Sequence, residues 1–212
     1  MLALGDSRVP QMSQRNHRWT RSGLTLAAVF VLFAALASAQ STKDEYVERR
    51  TGIGFPAAIG SLRRWGVVSF AERDPGLGIA VRYTTNKGCR GDIFVYNLGL
   101  AEIPSDPDDQ VIAQQLQQAL GDIRTQERTG TYQDVSVQRS EVAHLGGAGS
   151  PKVRHAVLSY VERGKREESH LYVTGYKNHF IKIRFTFAEQ VRESCLAALC
   201  ELSGWWSVTL RK

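Results

Sequence analysis

The chain has 212 residues, 42% hydrophobic, 23% charged and 9% aromatic, with 19 Gly and 6 Pro, an ordinary globular composition. It excludes a collagen-like repeat, a disordered low-complexity chain, a multi-pass membrane protein and a disulfide-dense miniprotein. The formal net charge is +6, but the first 39 residues hold four Arg against one Asp, and the remaining excess is too small for a nucleic-acid footprint.

In chain order the first signal is Arg15-Asn16-His17-Arg18-Trp19-Thr20-Arg21, a basic segment followed by an apolar run over 24–37 and the small-x-small exit Ala37-Ser38-Ala39. This is the pattern of a secretory signal peptide over 1–39. A helix over 24–39 would span about 24 Å, short of the ~30 Å hydrocarbon core, which favours cleavage over an uncleaved anchor. Gln40 stands where a lipoprotein would carry Cys, and the leader has no adjacent Arg pair for twin-arginine export. Met12 is an alternative start. The expectation is an exported protein, periplasmic or extracellular, with no stable membrane span after cleavage. Residues 40–52 are polar and read as a flexible lead-in, and 53–212 as a single domain.

From Phe55 the pattern has period two. Strands are expected over 67–70, 77–83 and 92–98, separated by the turn Asp74-Pro75-Gly76 and by Asn86-Lys87-Gly88. The period then becomes helical: Val111, Ile112, Leu116, Ala119, Leu120 and Ile123 line one face, with Asp106 as cap and Pro107 at the first turn, predicting a helix over 107–127. Four more strands are expected over 134–142, 153–162, 169–176 and 180–187, the last two joined by a turn at Lys177-Asn178-His179. A second helix over 188–203 carries Val191, Cys195, Ala198, Leu199 and Leu202 on one face, with Gly204 as its C-terminal cap. No βαβ alternation is visible. The fold class is therefore α+β, one antiparallel sheet of about six to seven strands covered by two helices.

This element order, with the run Leu77-Gly78-Ile79-Ala80-Val81-Arg82-Tyr83 and the strand over 180–187, resembles the sandwich of PsbP-type extrinsic photosystem II subunits and their exported bacterial lookalikes. The resemblance implies binding or assembly rather than catalysis. It brings no diagnostic motif, so no functional residue carries over.

Cys195 and Cys200 lie about 7.5 Å apart along a helix axis, beyond the ~7 Å reach of a disulfide. A bridge should therefore tie Cys89 to one of them. Cys200 lies off the apolar stripe and is the expected partner, closing a loop of about 110 residues, whereas Cys195 reads as core. Inert thiols remain an alternative. So does a reactive Cys89, whose neighbours Lys87 and Arg90 would favour the thiolate, although there is no Cys-x-x-Cys. His144, His155, His170 and His179 have no zinc spacing and read as surface or hydrogen-bonded residues. Asp106, Asp108 and Asp109 lack an EF-hand pattern. No metal or cofactor is expected. Gly147-Ala148-Gly149-Ser150-Pro151 is neither a nucleophile elbow nor a phosphate loop.

Tyr172, Tyr176, Lys177, Phe180, Lys182 and Arg184 interleave bases with aromatics. The strand face bearing them could stack nucleobases, but export and low charge favour a solvated face. In the adjacent pair Trp205-Trp206, read as an extended segment, one ring would enter the core and the other be free to contact a partner or the membrane surface, with core closure the favoured role. The expected function is a non-catalytic binding or accessory module of the cell envelope, contacting an envelope protein through Trp205, Trp206, Lys182 and Arg184. The alternative is an enzyme or thiol-redox factor with a site assembled around Cys89.

Overall fold

The computed structural model of the protein describes residues 44–211. The expected signal peptide lies outside these residues. Among the described residues, ten strands and two long helices form an antiparallel α+β arrangement. The strands are β1 (Tyr46–Val47), β2 (Gly54–Phe55), β3 (Ala58–Ile59), β4 (Leu62–Ser69), β5 (Ile79–Thr84), β6 (Arg90–Tyr96), β7 (Gln133–His144), β8 (Lys152–Glu162), β9 (Lys165–Tyr176) and β10 (His179–Ala188). The helices are α1 (Gln110–Arg128) and α2 (Arg192–Thr209). No helix of the described residues is long and apolar enough to cross a membrane.

Eight strands make one sheet in the order β3-β4-β5-β6-β10-β9-β8-β7, and β1 pairs with β2 in a small second sheet. Two meanders, β4-β5-β6 and β7-β8-β9-β10, are thus sewn together where β6 meets β10. The expected strand count falls short because β3 is only two residues long and carries no periodic pattern. The lead-in is also folded. Tyr46 pairs with Phe55, and Glu48 is buried, accepting hydrogen bonds from the Thr51 backbone N–H at 2.7 Å and hydroxyl at 2.6 Å. A charged residue satisfied by its own turn leaves no hydropathy signal.

Two hairpins set the register that matters for function. Lys177 and Asn178 both have positive φ (47° and 58°), as do Arg163 and Gly164 (51° and 76°), so β9-β10 and β8-β9 close through two-residue turns whose twist matches the strands. Leu77 does not join β5: Asp74 accepts from the Gly76 N–H at 2.7 Å, Pro75 follows the cap, and residues Pro75–Leu77 form a 3-10 turn instead.

The helices pack on opposite faces and on different halves of the sheet. The buried stripe of α1, Ile112, Leu116, Ala119, Leu120 and Ile123, sits on β7, β8 and β9. Its cap is Asp109, which accepts from the Val111 N–H at 2.8 Å, while Asp106 turns the preceding loop by accepting from Asp108. The helix therefore starts three residues later than expected. On the other face α2 packs Cys195, Ala198, Leu199, Leu202 and Trp206 against β10 and β3. It runs through Gly204 rather than ending there. Glycine in a helix interior costs about 1 kcal/mol, less than the roughly 1.5–3 kcal/mol gained by burying a large apolar side chain such as Trp206.

Cys89 is bonded to Cys195, not to Cys200. Cys89 is 1% exposed, so its partner must come from the buried stripe of α2, and Cys195 is on it at 0%. Cys200 is exposed and free. Position off the stripe, read as availability for bridging, is what takes Cys200 out of reach.

Candidate functional site

Because α1 sits over β7–β9, an open groove is left beside the helix, floored mainly by β6 and β10. Side chains alternate along each strand, and register fixes which ones look into it. Lys182 of β10 lies beside Phe94 of β6, which lies beside Ala80 of β5 and then Val68 of β4. One step along, Arg184, Asp92 and Arg82 form a second cross-sheet row. The opposite parity on β10, Ile181, Ile183, Phe185 and Phe187, faces α2 and is entirely core.

The groove consists of three hollows that share lining residues. The largest, about 720 Å³, is walled by Phe94, Tyr96, Phe180 and Lys182 from the sheet and by Val111, Gln114, Gln115, Gln118 and Asp122 from α1. Leu77, Leu98 and Leu100, 39–47% exposed, line it toward solvent together with Phe70 and Arg73, whose guanidinium lies over the Phe70 ring at 5.8 Å. The loop carrying Leu98 packs so closely on the 3-10 turn that a Cβ at Gly76 would collide with the Gly99 backbone nitrogen. Lys182 is shared with a middle hollow of about 310 Å³, and Arg184 is shared between that hollow and a small third one against Arg90 and Glu162.

Lys182 and Arg184, two residues apart and facing the same way, are treated differently. The Arg184 guanidinium donates to the hydroxyls of Tyr160 at 3.0 Å and Tyr132 at 3.2 Å, and to Ser169 Oγ at 3.3 Å. The two tyrosine rings lie 4.3 Å apart around it. Asp92 reaches Arg82 at 3.8 Å; burial pushes its carboxyl pKa up against the pull of Arg82, Arg184 and Arg90. The Lys182 ammonium, by contrast, lies over the Phe94 ring at 4.6 Å and near the Tyr96 ring at 5.6 Å. Among the described residues no carboxylate comes within 4.0 Å of it and no hydrogen bond reaches it. Burial pushes its pKa down, with Asp122 pulling the other way. Asp122 is itself held by Gln118, and Gln115 donates to the Tyr96 hydroxyl, both at 2.9 Å.

Of the four residues singled out from sequence, only Lys182 and Arg184 share a site. They form not a solvated face but the half-buried floor of the groove. Trp205 and Trp206 lie on the other side of the sheet, within a helix rather than an extended segment. Trp206 is 1% exposed, and Trp205 packs on Phe55 at 5.8 Å between ring centres. Phe94, Tyr96, Tyr132, Tyr160 and Asp122 escape sequence reasoning, although Phe94 and Tyr96 alternate on an expected strand. Knowing that β6 neighbours β10 is what puts them beside Lys182.

A second cluster occupies the opposite face, where α2 leaves β7–β9 open. His155 Nε2 meets His170 Nδ1 at 3.2 Å, His170 Nε2 meets Glu168 at 2.9 Å, and Arg192 donates to the other Glu168 oxygen at 2.8 Å. His155 stacks on Tyr172 at 4.3 Å. These are the hydrogen-bonded histidines expected from sequence. No grouping of three or more His, Cys, Asp or Glu suited to a metal ion is found among the described residues.

No family model matches the chain, and no curated protein matches it. Among solved structures it is similar to cyanobacterial PsbP (CyanoP) from Synechocystis sp. PCC 6803, at 13% identity and a TM-score of 0.47, over 74% of this chain and 86% of that one. The resemblance to PsbP is thus weak and one of fold alone.

Proposed function

We propose that the chain is an exported, non-catalytic binding module of a cell envelope, and that its binding surface is the groove between α1 and strands β6 and β10. The observation that carries this reading is the Lys182 ammonium, half-buried in the groove floor with no anionic partner among the described residues. A protein has little reason to desolvate a cation without a counter-charge unless something else supplies it. Export is supported by the leader pattern and by the Cys89–Cys195 bridge, a bond that persists in oxidising compartments. The thiol-redox alternative loses ground, because Cys89 is sealed in a buried disulfide.

Affinity capture from the native envelope with the tagged full chain tests the site. Wild type and Trp205→Ala should retain the same bound species, and Lys182→Met should lose it. Equal retention by all three, or loss only in Trp205→Ala, would overturn the groove as the binding surface. A reporter fused after residue 40 that stays inside the cell would overturn export.

A further inference from the structure

We infer that the groove takes a small amphiphilic monocarboxylate, its carboxylate on Lys182 Nζ and its apolar body lying outward along Phe180, Val111 and the leucines at the mouth. This inference rests on the groove being the binding surface and adds the chemistry of what fills it.

The sign and number of charges come from the two cations of β10. Arg184 shows how this fold builds a structural cation: three donated hydrogen bonds and two enclosing tyrosines. Its Nε and Nη2 are already used, and it lies outside the lining of the largest hollow, so it is not the group that meets a ligand there. Lys182 has three ammonium protons and none is donated to a protein acceptor among the described residues. The faces of Phe94 and Tyr96 stabilise it only in part. Its Nζ is not sealed away, since among the described residues the fully enclosed polar atoms without a partner are Glu167 Oε2 and His179 Nε2. One negative charge therefore fits at Lys182, the hollow's other cation being the exposed Arg73, whose guanidinium lies over the Phe70 ring. A second would meet Asp122, which faces the same hollow and which Gln118 holds on the helix wall.

The body of the ligand follows from what surrounds that charge. Beside Arg73 the outer walls are mainly apolar, ending in Phe70 and in Leu77, Leu98 and Leu100, which two closely packed loops hold open to water. Large apolar side chains gathered at the rim of a concave site mark an occupant that removes them from water. A cavity of about 720 Å³ is in the range of small-molecule sites, of roughly 300–1,000 Å³, and not of a flat protein interface. An acid head and an apolar tail, in that order from the floor outward, match the groove.

The test uses the purified, delipidated full chain and calorimetric titration with dodecanoate and with its methyl ester, which keeps the tail and removes the charge. Wild type should bind dodecanoate at least about tenfold more tightly than the ester. Lys182→Met should bring the two ligands to equal affinity, and Leu98→Asp should weaken both. Methionine matches lysine in volume without a buried charge, so Lys182→Met should melt at or above the wild-type temperature. Equal binding of acid and ester by wild type would overturn the role of Lys182. If neither binds while capture from the envelope still depends on Lys182, the monocarboxylate falls and the groove stands. Lys182-dependent binding of a protein, or of phosphatidylglycerol vesicles, without a response to dodecanoate would replace the small acid by a docked partner. A fall in the melting temperature of Lys182→Met would make Lys182 structural and sink both proposals.

Discussion

The two faces of the sheet use the same strands for opposite purposes. Under α2, β10 contributes Ile181, Ile183, Phe185 and Phe187, and these close on Trp206, Leu202 and the Cys89–Cys195 bridge with almost nothing exposed. One residue out of phase, the same strand contributes Phe180, Lys182, Arg184 and Thr186 to a face that α1 covers only in part. Where α2 covers it the closed face is apolar and holds the chain together, and its polar cluster around His155 and His170 is confined to the β7–β9 half that α2 leaves open. The open face carries charge that the closed face could not accept, and it can do so because its helix sits over β7–β9 and leaves the groove over β6 and β10 to solvent. Strand parity therefore separates the apolar core from the charged, partly open face on which the proposed binding depends.

The sharpest way to break that separation is to open the closed face. The Cys89–Cys195 link joins residues 106 apart, and losing such a bond costs about 2–5 kcal/mol. The double variant Cys89→Ala with Cys195→Ala should show a correspondingly lower urea midpoint, while any ligand affinity of its folded fraction stays unchanged. Thiol alkylation of the native protein followed by mass spectrometry should label Cys200 alone. Three labelled thiols would remove the bridge and with it the tightest tie on this face.

A smaller effect is expected on the open face. Arg184→Met leaves the Tyr132 and Tyr160 hydroxyls without their shared donor and Asp92 with one fewer cation, a cost of about 1–3 kcal/mol in chemical unfolding. The same substitution at Lys182 should cost nothing. If the two variants were equally destabilised, the distinction between an engaged and an available cation would fail.

Much of this fold is legible in the sequence, for reasons that also mark where legibility stops. The helix at α1 announces itself by a six-residue apolar stripe, of which five are buried, and β10 by alternation over 181–187, because one side of each is apolar core and the other carries polar groups. The end of α2 is hidden: Gly204 reads as a stop, and only the tertiary burial of Trp206 carries the helix past it. The disulfide partner is hidden for a related reason, since burial of Cys89 cannot be read from its polar neighbours Lys87 and Arg90. At the groove, Lys182 and Arg184 can be named from sequence but not told apart, because what separates them is Tyr132 and Tyr160. Tyr160 lies on β8 and Tyr132 in the bend just before β7, and only the sheet order brings them near Arg184. The turn Arg163-Gly164 could have given more. With Glu162 opposite Lys165 it fixes the β8-β9 register and places His155 and His170 on one face.

That histidine pair supplies the mildest prediction, one confined to the closed side's uncovered edge. His170 Nε2 faces the Glu168 carboxylate, which can only accept, so this nitrogen carries a proton and Nδ1 is left to accept from His155 Nε2–H. Both rings are then neutral. Burial is the main force holding the His155 pKa down, helped by His170 and Arg139, to about 4 against an ordinary 6.5. A folded-state pKa below the unfolded one means that the unfolded chain binds more protons between those values. The contribution is complete above about pH 6.5 and drains away as the pH falls through 4, a loss on the order of 1–2 kcal/mol. His155→Phe retains a ring on Tyr172 and removes the titration. It should flatten the fall in unfolding free energy between about pH 6.5 and 4.5 relative to wild type, while leaving dodecanoate binding on the far face untouched. An identical pH slope in the variant would show that His155 is not held neutral by its burial, and a change in ligand affinity would show that the two faces are coupled after all.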